Sequence, residues 1–173
     1  MPDAIWLDDR EQRAWRSFMA AMERLKAAIA RELQRDSGLS GPDYSVLVQL
    51  SEAPGGRLRA YELGAATGWE KSRLSHHLTR MEQRGLVARE QCAGSRFFDV
   101  VLTEQGRTTV EEAAPKHVGH VREWFVEALT PEQLDALAAA CEAISARLGQ
   151  SASCTDPDHS VDHEVNVMIE PGS

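Results

Sequence analysis

The sequence has no apolar run close to the roughly 20 residues of a transmembrane helix, so we expect no membrane-spanning segment. Its first residues, Met-Pro-Asp-Ala-Ile-Trp, lack the basic start and apolar core of a signal peptide, so the expected location is cytoplasmic. Three cysteines in 173 residues do not predict a disulfide framework. Since there is no G-x-S-x-G, phosphate-binding loop or H-E-x-x-H motif, we expect neither an enzyme nor a cofactor.

Charge is unevenly distributed along the chain. The net charge of −8, taken alone, argues against a nucleic-acid partner. Residues 57–96 nevertheless contain eight basic and four acidic side chains, a local charge of +4, and the remainder carries 11 basic and 23 acidic groups. A basic segment in an acidic protein is typical of a module that docks on DNA, although a solvated helix face gives the same pattern.

Residues 57–103 have the element order of a helix-turn-helix followed by a β-hairpin. Two short helical patterns are separated by Gly68, where a tight turn often needs a left-handed backbone. Gly85 stands where the second helix, over about 70–84, should end. Residues from Val87 onward then predict two strands, which together form a wing.

Further residues complete the predicted wing. Its second strand is expected at 97–102, and Gly94 lets the hairpin reverse. A short strand at 57–59 is expected to pair with it. Arg96, beside the loop, is expected to reach a minor groove or a phosphate, with a surface salt bridge as the alternative.

The second helix of the pair is the candidate recognition helix. Leu74, Leu78 and Met81 share one face, which should pack on Leu63 and Ala66 of the preceding helix. The opposite face is polar and basic, and Arg73 with His76 is the expected base-reading pair; contact of Arg73 with phosphate alone is the alternative. The expected DNA-contacting residues are Arg57, Arg59, Lys71, Ser72, Arg73, Ser75, His76, His77, Arg80 and Arg96.

These features resemble the MarR (multiple antibiotic resistance regulator) family of winged helix-turn-helix transcription factors. The resemblance is carried by ELGAATGWEKSRLSHHLTRMEQRGLV at 62–87 and by Arg96-x3-Val100-x-Leu102-Thr103-x2-Gly106, and it spans about 10–148. It implies a homodimer that represses a nearby promoter through a near-palindromic operator and is released by a small ligand. One departure is Gly94, where family members often carry an aspartate that braces the wing arginine.

The remaining sequence predicts a mainly α fold with a small β-wing, in one domain over 1–148. The winged helix-turn-helix is expected over about 42–103, and dimerisation helices over about 8–36 and 104–148, with a kink or interruption at Pro115. Folding back of these helices within a monomer is the alternative. Residues 149–173 lack lysine and arginine, which predicts a flexible acidic tail.

The sequence says less about what the protein senses. The resemblance implies a pocket for a small aromatic effector, and the candidate lining residues are Trp6, Trp15, Arg16 and His117. His117 and His120 could chelate a metal ion, but two histidines alone do not predict a site, and no metal is expected. A redox role of Cys92 in the wing, a metal-responsive regulator and a protein-interaction module without specific DNA binding remain the alternatives.

Overall fold

A computed structural model of the chain describes residues 6–91 and 98–153. Its contacts divide the chain into two compact units, Met1–Ala128 and Leu129–Ser173, which we describe separately. No helix among the described residues is long and apolar enough to cross a bilayer. The elements of the first unit are helices α1 (Asp9–Ser37), α2 (Gly41–Glu52), α3 (Ala60–Thr67), α4 (Lys71–Gln83) and α5 (Glu104–Val121), and strands β1 (Arg57–Arg59), β2 (Val87–Gln91) and β3 (Phe98–Leu102).

Side-chain caps set the helix starts. Asp8 caps α1 and Ser40 caps α2, each in a reciprocal capping box with the acidic residue three positions later. The Thr103 hydroxyl accepts from the Gly106 N–H at the start of α5. These caps satisfy backbone N–H groups that the first turn of a helix leaves without partners.

Three antiparallel strands form the wing, in the order β1-β3-β2. Arg57 pairs with Val101 across β1 and β3, and Val87 pairs with Leu102 across β2 and β3. The predicted pairing of the short strand at 57–59 with the wing is therefore confirmed. The strand also fixes the wing to the body of the unit, since β1 leads directly into α3.

The core of the first unit lies beneath α4. Leu74, Leu78 and Met81 are all buried, together with Leu63 of α3, as the helical spacing predicted. Ala66, however, is exposed, so its predicted packing against α4 is wrong. Gly64 takes that place, since a Cβ atom there would lie 3.6 Å from a Leu74 methyl group.

The long helix after the wing, α5, passes through Pro115. Pro115 lies inside α5 without ending it, so of the two outcomes expected there, a kink or an interruption, the interruption is wrong. The helical pattern changes later, at Arg122–Val126, which forms a π-helical turn. A π-helical turn shifts the register of the backbone hydrogen bonds without ending the coil, which explains how the chain continues to residue 126.

The second unit contains α6 (Pro131–Ser153). It begins with a capping box. The Thr130 N–H donates to Gln133 Oε1 at 2.9 Å, and the Gln133 N–H donates to Thr130 Oγ1 at 3.3 Å. The helix continues past the predicted end at Leu148. Cys141 is exposed on α6. Residues 154–173, most of the predicted tail, lie outside the described residues.

Candidate DNA-binding surface

The outer face of α4 is exposed and polar. Because Leu74, Leu78 and Met81 anchor the opposite side, the helix presents its basic and small polar residues to solvent. Six of the predicted contact residues share this exposed face: Lys71, Ser72, Arg73, Ser75, His76 and Arg80. This face has the arginine and hydroxyl donors that read base edges and phosphates in a major groove.

His77 lies on the inner side of α4, so its predicted place on the DNA-facing surface is wrong. It is 8% exposed, and its Nε2 lies 3.1 Å from Asp43 Oδ1 of α2. Burial lowers the pKa of His77, with Arg80 and Arg73 acting in the same direction and Asp43 opposing them. The helical spacing contained this signal, because His77 follows Leu74 by three residues and precedes Met81 by four.

Asp43 is the buried acid that joins α2 to the end of the recognition helix. Its Oδ2 accepts from the Arg84 guanidinium at 2.7 Å and from the Ser40 N–H at 2.9 Å. Burial alone would raise the pKa of Asp43, but the hydrogen bonds from Ser40 and Arg84 outweigh it and lower the pKa below its ordinary value. Arg84 also donates to the Gly38 carbonyl at 3.0 Å, so one side chain ties α4 to both α1 and α2.

Two arginines on the outer face are oriented by neighbours. The Arg73 guanidinium lies 4.8 Å from the Trp69 ring centroid, in cation–π geometry. An Arg80 nitrogen lies 3.3 Å from His77 Nδ1. Such contacts restrict the rotamers of long side chains before they meet a ligand, which reduces the entropy lost on binding.

Arg89 of β2 attaches the wing to the recognition helix. Its guanidinium donates to Glu82 Oε2 at 3.0 Å, to the Ser75 carbonyl at 3.1 Å and to Thr79 Oγ1 at 3.1 Å. The same group lies 5.3 Å from the ring centroid of Phe98 in β3. The local sequence pattern around Arg89 does not indicate that its side chain reaches back to α4, so this role could not be predicted.

Arg57 and Arg59 of β1 lie on the sheet, within reach of acidic neighbours. Arg57 donates to Glu90 at 2.8 Å, and Arg59 Nε lies 3.2 Å from Asp99 Oδ1. These ion pairs place both arginines across the three strands of the wing. Their contact with DNA stays a prediction. Arg96, the predicted wing-tip contact, and Cys92 lie outside the described residues.

The candidate effector residues do not come together within one chain. Trp6 and Trp15 are exposed at the start of α1, as is Arg16. His117 lies on α5, where its ring is tilted by 44° to the ring of Tyr44, with centroids 4.4 Å apart. From Trp15 to the end of α1, beside His117, the helix runs roughly 30 Å at 1.5 Å per residue. Burial, with a smaller contribution from His120, lowers the pKa of His117.

Comparison with known proteins gives the family. A sequence model described as "MarR family" matches residues 37–96. AbsC, a MarR family transcriptional regulator of Streptomyces coelicolor, is 42% identical, with a TM-score of 0.81 over 85% of this chain and 99% of that one. Sco3205, a MarR family regulator of the same organism solved in complex with DNA, is 37% identical, with a TM-score of 0.79 over 84% and 91% of the two chains.

A more distant neighbour shares the fold alone. BpsR of Bordetella bronchiseptica, whose DNA binding is regulated by 6-hydroxynicotinic acid, is 24% identical, with a TM-score of 0.67 over 77% of this chain and 98% of that chain. The winged helix-turn-helix geometry and the similarity to AbsC and Sco3205 point to the same family. The chain belongs to the MarR family of transcriptional regulators, whose members are not enzymes.

Proposed function

We propose that the protein is a homodimeric, sequence-specific DNA-binding repressor that a small-molecule ligand releases from its operator. The observation that carries the proposal is the exposed outer face of α4, held rigid by a buried apolar stripe and attached to the wing by Arg89. The DNA complex of Sco3205, at 37% identity, supports it. In this proposal the six exposed residues of α4 contact the operator. Arg57 and Arg59 would have to open their ion pairs with Glu90 and Asp99 to join them.

The dimer part of the proposal rests on apolar side chains that the single chain leaves in water. Trp15 and Phe18 are exposed on α1, and Ile144 and Leu148 are exposed on α6. Apolar side chains recurring on the same side of a helix favour burial against a partner. Two copies related by a twofold axis would present two recognition helices about 34 Å apart, one turn of duplex, to a near-palindrome.

The proposed ligand is a small aromatic compound. BpsR supports this part of the proposal, because its DNA binding is regulated by 6-hydroxynicotinic acid. Trp15 and Arg16 offer an aromatic surface and a cation, the chemistry that an aromatic acid requires. Because His117 lies far from them in one chain, a pocket containing all three would need the second subunit.

Fluorescence anisotropy with duplex from upstream of the gene, against a random duplex of equal length, tests the function. We expect tighter binding of the upstream duplex at low salt. Arg73→Ala should reduce the discrimination by roughly 1–3 kcal/mol. An equal loss on both duplexes would reassign Arg73 to phosphate contact. If neither duplex is bound, the repressor proposal fails and a protein-interaction module becomes the better hypothesis.

A further inference from the structure

Three potential metal ligands meet where the end of α1 packs beside α5. Glu32, Asp36 and His120 each offer one ligand atom, and these atoms all lie within 4.8 Å of one another. His120 Nε2 lies 3.1 Å from Asp36 Oδ2, in a hydrogen bond that a shared metal ion would replace. The fold thus brings together three residues from two helices, although Asp36 and His120 are 84 positions apart in the chain.

The backbone holds these donors in place. Glu32 and Asp36 are four residues apart on α1, so they share a helix face. The His120 ring stacks on Trp124 with centroids 5.0 Å apart and an interplanar angle of 19°, which fixes the plane of the imidazole. All three donor residues are half-buried, so part of their hydration is already lost.

A small cavity adjoins the cluster. Its lining includes Asp36, Ser37, Lys116, His117 and His120, and its volume of about 10 Å³ is roughly the room of one water molecule. Nδ1 of His117 is buried and has no hydrogen-bond partner within the described part of the chain. The cavity, whose wall also includes Leu33 and Ala113, is far smaller than the several hundred Å³ of an organic-ligand pocket and has room for one water beside the cluster.

The acidic side chains of the cluster attract a cation, but two basic side chains nearby compete with it. Arg35 pairs with both Glu32 and Asp36, and its side chain is 65% exposed, so it can turn into solvent when another cation takes its place. Lys116, on the cavity wall, is exposed and likewise able to turn away. Mixed carboxylate and imidazole donors suit first-row transition metals, and a tetrahedral ion with ligands at about 2.0–2.2 Å is typical of zinc.

We propose that Glu32, Asp36 and His120 bind a divalent transition-metal ion of the zinc type at the α1–α5 junction, with a water in the adjoining cavity as fourth ligand. The Asp36–His120 separation of 3.1 Å is close to the ligand–ligand edge of a zinc tetrahedron, about 3.3–3.5 Å for bonds of that length. Glu32 needs only a rotamer adjustment to complete the set, since its ligand atom lies within 4.8 Å of the others.

The test is zinc titration of the full-length, tag-free, metal-stripped protein in competition with a chromophoric chelator. Cys154, His159 and His163 offer donors outside the described residues, so the reference protein carries serine or alanine at these three positions. We expect one zinc per chain in this reference. Loss of zinc binding on substituting the tail alone would overturn the proposal.

Two variants of that reference then test the donors. His120→Ala and Asp36→Asn should each weaken zinc binding by at least ~100-fold, whereas His76→Ala, a histidine exposed on α4, should leave it unchanged. Arg35→Gln keeps every donor and removes the competing cation, so it should tighten binding several-fold. Unchanged affinity in both donor variants would overturn the assignment.

Cobalt substitution supplies a readout that does not depend on DNA binding. A Co²⁺ ion in a four-coordinate site with nitrogen and oxygen donors should give intense visible absorption bands, and His120→Ala should abolish them. Zinc should also raise the thermal midpoint of the reference protein, since a ligand that binds only the folded state stabilises it. Weak octahedral bands and no thermal shift would contradict a built site.

Discussion

Replacing Asp43 by asparagine tests whether one buried carboxylate fixes the recognition helix. Asp43 is 5% exposed in its side chain and joins α2 to Arg84 at 2.7 Å. A hydrogen bond to a charged group contributes about 1.5–3 kcal/mol. Because the Arg84 side chain is 44% exposed, we reduce the expected contribution for solvent screening, to about 1–2 kcal/mol.

The substitution keeps the shape of the residue and removes its charge. The asparagine oxygen can still accept from the Ser40 N–H, so most of the helix cap should survive. For a chain of 173 residues, a loss of 1–2 kcal/mol lowers the thermal midpoint by roughly 2–8 °C. Thermal and urea unfolding, followed by circular dichroism at matched protein concentration, measure the change.

Glu11→Gln is the matched control. Glu11 occupies the same capping-box position on α1 and bonds the Asp8 N–H at 2.8 Å, but it lies on the exposed surface and has no buried ion pair. We expect its substitution to change the midpoint little. If Asp43→Asn and Glu11→Gln cost the same, the buried pair with Arg84 does not stabilise the fold as we argue.

The pH dependence of this loss is a second check. The folded-state pKa of Asp43 is lowered from its ordinary value of 3.8, so the carboxylate stabilises the fold fully above that pH and loses its effect as the pH falls through the folded value. The stability difference between the wild type and Asp43→Asn should therefore be constant near neutrality and shrink below about pH 4. A difference that grows on acidification would contradict the assignment.

Arg89→Ala tests the joint between wing and helix. Gly106→Ala, with Gly119→Ala as its control, tests a close backbone contact near the start of α5. Arg89→Ala removes three hydrogen bonds to α4, so operator affinity should fall by roughly 1–2 kcal/mol in anisotropy with the helical content unchanged; unaltered affinity would show that the wing needs no such joint. Gly106→Ala should destabilise by more than about 2 kcal/mol in urea unfolding, because the added Cβ would lie 2.0 Å from the Leu86 carbonyl oxygen. Gly119→Ala, on the same helix with nothing within 4 Å, should instead stabilise by up to about 1 kcal/mol; similar effects at both sites would refute the steric argument.

Local signals in the sequence were enough to predict the elements. Gly68 and Gly85 both adopt positive φ, at 66° and 73°, where the sequence placed a turn and a helix end. The stripe formed by Leu74, Leu78 and Met81 is buried as its spacing required. Each of these outcomes depends on residues within a few positions of one another, which is the range that periodicity and turn chemistry describe.

Contacts between distant residues were not predictable in the same way. Arg84 meets Asp43 across 41 positions, and His120 meets Asp36 across 84. Nothing in the spacing of the sequence indicates which acid an arginine will reach, since that depends on how helices pack. The inward position of His77 differs, because it follows from the same periodicity as its apolar neighbours and was available from the sequence.

These internal ion pairs reduce the charge that the module can offer to DNA, and the salt dependence of binding measures the reduction. Of the basic residues in 57–91, four are engaged by carboxylates of the protein: Arg57, Arg59, Arg84 and Arg89. Lys71, Arg73 and Arg80 have no such carboxylate partner within the described part of the chain.

If Arg73 reads a base edge while Lys71 and Arg80 of each protomer make the phosphate contacts, the proposed dimer neutralises four phosphates, and the slope of log K against log salt should be about −4. If every basic side chain of 57–96 took part, the slope would be about −14. Anisotropy titrations between low and physiological salt distinguish the two. Arg80→Gln should make the slope shallower by about 2, one contact per protomer, whereas Arg57→Gln should leave it unchanged. A slope steeper than about −10 would show that the internal ion pairs open on DNA. The surface that binds would then not be the exposed face of α4 with its ion pairs intact.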